Sequence, residues 1–228
     1  MNTRRNILSR FVLVILLAGF APLPADALTS AYDDILSAVK LGDKGAVVAL
    51  LERGMDVNTT DAEGNTLLML ATREGHEDLV ALFIQRRARV NARNRHGDSA
   101  LRFAAYQGQL SITRRLVEAG AQINMDGWTP LIYAAFNGHL EVVQYLLRHG
   151  AAIDAVSENG MTALIAAARG GFLDVVRILT VAGANLDIRT AQGETALDWA
   201  RKTHNTGVAD YLESRGAKPG KTVTLEIR

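Results

Sequence analysis

The sequence predicts an all-α solenoid of about six helix-turn-helix repeats with β-turn fingers, and three observations point that way. A short pattern recurs as Gly64-Asn-Thr-Leu-Leu68, Gly97-Asp-Ser-Ala-Leu101, Gly127-Trp-Thr-Pro-Leu131, Gly160-Met-Thr-Ala-Leu164 and Gly193-Glu-Thr-Ala-Leu197, with glycine spacings of 33, 30, 33 and 33. A fixed period of this size marks a stacked-repeat architecture. Each copy is followed by an alanine (Ala71, Ala104, Ala134, Ala167 or Ala200), and the first four by a helix-breaking glycine at Gly75, Gly108, Gly138 or Gly171. Apolar pairs such as Val142-Val143 and Leu146-Leu147 sit at helical spacing on one face. A helix pair of this kind buries that face only against its neighbours, so stacking stabilises the array in place of one central core.

Ahead of the repeats, Met1–Arg10 carries three arginines and no acid, followed by an apolar run from Phe11 to Ala21 and then Pro22-Leu-Pro-Ala-Asp-Ala27. Basic, apolar and small-residue segments in that order predict a signal peptide, 1–27, cleaved after Ala27. The 11-residue run is much shorter than a membrane-spanning helix. Arg4-Arg5 also resembles a twin-arginine export signal, so general secretion leads and twin-arginine export is the alternative. An uncleaved membrane anchor is the third reading. Each places the domain outside the cytoplasm, periplasmic or secreted.

The 228 residues carry net charge +1 and no cysteine, which excludes disulfides, thiolate zinc sites and a cysteine nucleophile. Cleavage removes three arginines and one aspartate, leaving 22 basic against 23 acidic residues, net −1. That balance gives no global attraction to nucleic acid. The mature chain is organised as a repeat domain, 28–217, with units at about 31–60, 61–93, 94–123, 124–156, 157–189 and 190–217, and a flexible tail, 218–228. The first unit lacks a finger and reads as the N-terminal cap. The last has His204 at the mid-repeat glycine position and a polar stretch from Arg201 to Asn205, as suits a C-terminal cap. Gly120, Gly150 and Gly183 end the outer helices in the left-handed conformation.

At these residues the chain resembles the ankyrin-repeat family, whose unit is a β-turn finger, an inner helix opening Thr-Pro-Leu-His, a Gly turn, an outer helix and a Gly-Ala loop. The family's His is replaced in every copy, by Met69, Arg102, Ile132, Ile165 and Asp198, which puts its Thr-to-His bracing in doubt. Arg87 stands where the family has the glycine after the second outer helix. A left-handed non-glycine there costs on the order of 1 kcal/mol, so a weaker junction between repeats two and three is expected.

Motifs for chemistry are tested and rejected. Gly216-Ala-Lys-Pro-Gly220-Lys221-Thr222 has one residue too few between its glycines for a phosphate-binding loop. The five histidines show no metal-ligand spacing, and His76 and His139 read as turn residues. No nucleophile elbow or His-Glu-x-x-His occurs, so no enzyme activity, cofactor, metal or small-molecule substrate is expected. Arg86, Arg87, Arg89, Arg93 and Arg95 form a basic stretch read as a solvated surface balanced by Asp61, Glu63, Glu74, Glu77 and Asp78. Arg89, Arg93 and Arg95 are the secondary candidates for an acidic partner.

The leading expectation is a protein-binding module acting through its concave face. The alternatives are an accessory subunit, stabiliser or inhibitor of an exported enzyme, and a membrane-anchored envelope scaffold. Membrane contact is expected only if the N-terminal segment stays uncleaved. The resemblance places Asp98, Tyr106 and Gln107, then Trp128, Phe136 and Asn137, then Met161 and Arg169 on the groove. Phe103 and Tyr133 are assigned to the core. Three residues are missing between Gly120 and Thr129, so a notch is expected beside Trp128.

Overall fold

The computed structural model describes residues 25–220. The proposed signal segment lies almost wholly outside them, and so does the tail from Lys221 onward. The described residues form twelve helices in six antiparallel pairs: α1 (Ala25–Leu41) with α2 (Lys44–Glu52), α3 (Leu67–Glu74) with α4 (Glu77–Gln85), α5 (Ala100–Tyr106) with α6 (Leu110–Glu118), α7 (Pro130–Phe136) with α8 (Leu140–Arg148), α9 (Ala163–Gly170) with α10 (Leu173–Val181), and α11 (Ala196–Lys202) with α12 (Thr206–Ser214). The cleavage point expected after Ala27 falls in the first turn of α1. An isolated antiparallel bridge, Thr60 to Thr66, marks the base of the first finger.

The recurring Thr or Ser starts each inner helix by capping it. Thr66 Oγ1 accepts from the Met69 N–H at 3.2 Å, and Ser99, Thr129, Thr162 and Thr195 repeat the bond to the residue three along. This satisfies an amide that the helix leaves orphaned. The residue at the family's His position bonds back to the cap in two copies, through Met69 Sδ to the Thr66 N–H at 3.4 Å and Asp198 Oδ2 to the Thr195 N–H at 2.8 Å.

The outer helices begin differently. His76, Gln109, His139, Phe172 and Asn205 occupy their N-cap positions without capping them. Several of these side chains reach back one repeat instead. His76 Nε2 meets the Lys40 carbonyl at 3.1 Å, His139 Nε2 the Tyr106 carbonyl at 2.9 Å, and Asn205 Nδ2 donates to the Ala168 and Arg169 carbonyls at 3.1 Å each. A carbonyl only accepts, so both imidazoles carry hydrogen on Nε2. The rings lie over the preceding turn glycine. A Cβ on Gly42 would sit 2.7 Å from His76, and one on Gly108 or Gly138 would strike the ring of His139 or Phe172.

A second ladder joins the loops between repeats. Asn91 takes the Gln122 N–H at 2.7 Å and donates to the Gly120 carbonyl at 3.0 Å, and Asn124 does the same with Ala152 at 2.8 Å and Gly150 at 2.9 Å. Asn58 and Asp154 continue it by accepting from the Arg89 and Asn185 amides. Full-length fingers pair directly, Arg95 N–H to the Glu63 carbonyl at 3.0 Å and Ala191 N–H to the Asn159 carbonyl at 2.9 Å. Arg87 and His204 both adopt φ 59°, the left-handed conformation expected of the glycines they replace.

The apolar interior forms two blocks, one from Ile35 to Ala121 and one from Ala105 to Ala217, with Val117 and Ile123 packed against both. The division falls at the shortened finger of the fourth repeat, and there the expected notch is bridged by Arg102. This side chain is 7% exposed. It donates to the Gly97 carbonyl at 2.8 Å and across the repeat boundary to the Asp126 carbonyl at 2.5 Å, with Asp98 Oδ1 at 3.8 Å. A long cation thus joins carbonyls of two consecutive fingers.

The beginning of the tail also departs from expectation. Lys218–Gly220 is clasped to the last inner helix: Thr195 Oγ1 donates to the Lys218 carbonyl at 3.2 Å, and the Gly220 N–H to Asp198 Oδ2 at 2.6 Å. Asp198 is surrounded by donors, and the chain closes over it. The Gly220 amide of the phosphate-loop look-alike is therefore engaged by a carboxylate.

Arg102→Met keeps the bulk but removes two charge-assisted bonds from a buried site, and urea denaturation is expected to show a loss of about 2 kcal/mol. Burial pushes the Asp198 carboxyl up, but hydrogen bonds from Thr195 and Gly220 and the charge of Arg201 more than offset it, and the group is held below its ordinary 3.8. A lowered folded pKa adds stability that is present above the unfolded value and lost as pH falls through the folded one. The clasp is therefore expected to hold at neutral pH and to open only below pH 3.8. Asp198→Ala should open it at pH 7 and cost about 1 kcal/mol, read by exchange of the Gly220 amide.

Candidate functional site

Two rows of side chains line the concave side of the inner helices, with Leu70 and Ala166 fully buried and the others at least partly exposed. The fourth residue after each capping Thr or Ser gives Leu70, Phe103, Tyr133, Ala166 and Trp199, and the seventh gives Arg73, Tyr106, Phe136, Arg169 and Lys202. In the middle of the stack these rows become aromatic and their rings touch. Tyr106 and Tyr133 meet edge to face at 5.8 Å between centroids, Trp128 lies 5.2 Å from Tyr133, and Trp128 meets Phe136 at 5.5 Å. Trp128 reaches this cluster from the shortened finger, and Tyr106 is half exposed at the helix end. Burial, with the charge of Asp98, pushes the Tyr133 phenol above its usual value, so it stays a neutral hydrogen-bonding group.

Beyond the rings the row turns cationic. The Arg169 guanidinium lies 5.7 Å from the Phe136 ring centroid and 5.0 Å from that of Trp199, and Lys202 Nζ lies 4.7 Å from Trp199. Lys202 is also paired with Glu194 at 2.8 Å. Tyr106, Trp128, Phe136 and Arg169, assigned to the groove from sequence, are thus brought into one continuous strip. Tyr133, placed in the core by the sequence reading, is half-buried and sits between Trp128 and Tyr106. Phe103 is likewise half-buried against the core. Trp199 and Lys202 were missed, although the repeat positions of Tyr133, two periods back, and of Arg169, one period back, mark them.

Other assignments take different roles. Met161 is 3% exposed and belongs to the core, so it has no surface to offer. Gln107 Nε2 donates to the Arg73 carbonyl at 2.9 Å and Asn137 Nδ2 to the Tyr106 carbonyl at 2.9 Å, so these amides brace consecutive inner helices. Asp98 pairs with Arg102. In the basic stretch Arg93 reaches Gln122 at 3.5 Å and Arg86 reaches Glu52 at 4.0 Å, while the side chains of Arg89 and Arg95 are exposed. Three of the five carboxylates expected to balance this stretch are engaged elsewhere, Glu77 with Ser111 and Arg115, Glu74 with Arg73, and Asp61 with Asn65.

Among the described residues no group of three or more His, Asp or Glu is arranged to hold a metal ion. Two surface depressions lie over the outer helices, lined by Glu77, Arg115 and their neighbours, away from the aromatic strip.

Comparison with known proteins agrees with this architecture. A family model for ankyrin repeats in three copies matches residues 35–126 and 88–157, and one for ankyrin repeats in many copies matches 138–180. No curated protein matches the sequence. Among solved structures, an ankyrin repeat domain from Acinetobacter baumannii AYE is 32% identical with a TM-score of 0.72, over 81% of this chain and 98% of that one. A chain in the complex of the predatory endopeptidase Bd0816 from Bdellovibrio bacteriovorus with the immunity protein Bd3460 is 29% identical with a TM-score of 0.73, over 79% of this chain and 97% of that one. Paired helices, glycine turns, finger contacts and both family models converge: this chain belongs to the ankyrin-repeat family.

Proposed function

We propose that this protein acts outside the cytoplasm, binding a protein partner through the concave strip of Tyr106, Tyr133, Trp128, Phe136 and Arg169. Ankyrin-repeat stacks are protein–protein interaction modules, and a solenoid offers an extended groove better suited to recognition than to catalysis. The observation that supports this strip over the rest of the surface is the contact of four aromatic rings on one face. Aromatic and arginine side chains dominate interface energetics because they bury large area with few rotatable bonds. The N-terminal sequence supports the export reading, with Leu28 as the first mature residue.

A second reading, an inhibitor or stabiliser of an exported enzyme, draws support from the similarity to a chain of the endopeptidase–immunity protein complex. It uses the same strip and differs in what the partner loses on binding.

Tyr106→Ala combined with Phe136→Ala is expected to leave the fold intact and weaken partner capture by about tenfold or more, near 1.4 kcal/mol. Captured partner that binds the double variant unchanged would move the site to Arg89, Arg93 and Arg95. Cell fractionation with N-terminal sequencing should find a chain starting at Leu28 in the periplasm, and an intact Met1 on a cytosolic chain would refute export. Arg4→Lys with Arg5→Lys should abolish export only along the twin-arginine route.

A further inference from the structure

We infer that the cluster of Phe136, Arg169 and Trp199 recognises the side chain of an Asp or Glu carried within an extended segment of the partner protein. This rests on the groove reading above and adds the chemistry of what the groove takes. Arg169 lies near the end of α9, between a ring of the preceding repeat and a ring of the following one. It has room there because the fourth position after Thr162 is Ala166, fully buried, where the neighbouring repeats have Tyr133 and Trp199. Aromatic faces attract a guanidinium and restrict its orientation while its N–H groups stay available.

The charges of the concave face single out this residue. Arg73 lies 3.3 Å from Glu74, Asp98 3.8 Å from Arg102, and Glu194 2.8 Å from Lys202. Among the described residues Arg169 has no carboxylate within 4.0 Å, although it is exposed. A guanidinium positioned in this way takes a carboxylate through two parallel, charge-assisted hydrogen bonds.

The carboxylate belongs to a side chain within the segment because the groove continues on both sides of Arg169. Towards the N-terminus it runs over Phe136, Trp128 and Tyr106, and towards the C-terminus to Lys202. A segment threaded along it sets apolar residues on the rings and its acid at Arg169.

The test uses random peptide segments displayed inside a loop of a carrier protein, so that no chain end is presented, selected on the full chain. Recovered segments are expected to hold Asp or Glu at one fixed position beside aromatic or aliphatic residues. Changing that acid to its amide should weaken binding about tenfold or more, and Arg169→Gln, with an unchanged melting curve, should bind the acid and amide forms equally. If the Arg169→Gln variant misfolds, Arg169→Lys serves in its place: it keeps the charge, loses the paired donors, and is expected to narrow the preference for acid over amide. Segments that show no acid preference, yet lose binding to the Tyr106→Ala and Phe136→Ala double variant, would keep the groove and overturn the carboxylate site. Acidic segments that prefer the acid equally on Arg169→Gln would also overturn it. Recovery of no segment, or only of segments indifferent to all these changes, would overturn both readings.

Discussion

Each repeat after the first is coupled to the one before it by a side chain at the start of its outer helix that lies over that earlier repeat's turn glycine. His76 covers Gly42, His139 covers Gly108, Phe172 covers Gly138 and Asn205 covers Gly171. The arrangement makes two demands on Gly108. Its φ of +72° is left-handed, which disfavours a side chain, and the His139 ring occupies the space where a Cβ would project. Where the covering residue is His or Asn, its polar end also serves carbonyls of the previous inner helix. Phe172 makes the packing contact alone, so shape complementarity on glycine is the common element and the hydrogen bond is an addition.

The interior is less uniform than this regular coupling suggests. Its two apolar blocks meet where the fourth finger is three residues short and the third inner helix carries Arg102. These two irregularities compensate each other. Arg102 reaches the Asp126 carbonyl of the shortened finger while holding the Gly97 carbonyl of its own repeat. A buried guanidinium is tolerated because its donors find acceptors and Asp98 lies close, though its Nε remains without a partner. The aromatic strip is built over this seam, with Tyr106 on one side of it and Trp128, Tyr133 and Phe136 on the other.

Within the strip, structural and available groups are interleaved. Gln107 and Asn137 are polar and near the surface, yet their amides are spent on carbonyls one repeat back. Trp128 and Met161 occupy equivalent repeat positions and have opposite fates. The Trp128 ring lies against Tyr133 and Phe136 at the groove, while Met161 is drawn into the core below a full-length finger whose Ser157 hydroxyl accepts from its amide at 3.0 Å. Arg169 differs from the other charged groups of the face because Ala166 leaves it space and no carboxylate lies beside it.

Sequence alone determined the repeat period, the helix starts at Thr or Ser, the glycine turns, and the left-handed backbone at Arg87. Through the family resemblance it also placed Tyr106, Trp128, Phe136 and Arg169 on one face. All of these depend on neighbours within a few residues or on strict repetition, and both are written linearly in the chain. Only the tertiary structure decided that Tyr133 belongs to the strip, that Met161 does not, that Arg102 bridges the notch, and that Lys218–Gly220 is held by Asp198. Those outcomes are set by partners some 20 to 30 residues away in sequence. Which partner a side chain meets there depends on the lengths of fingers and the sizes of side chains in the adjacent repeat, quantities that the local pattern of its own repeat does not contain.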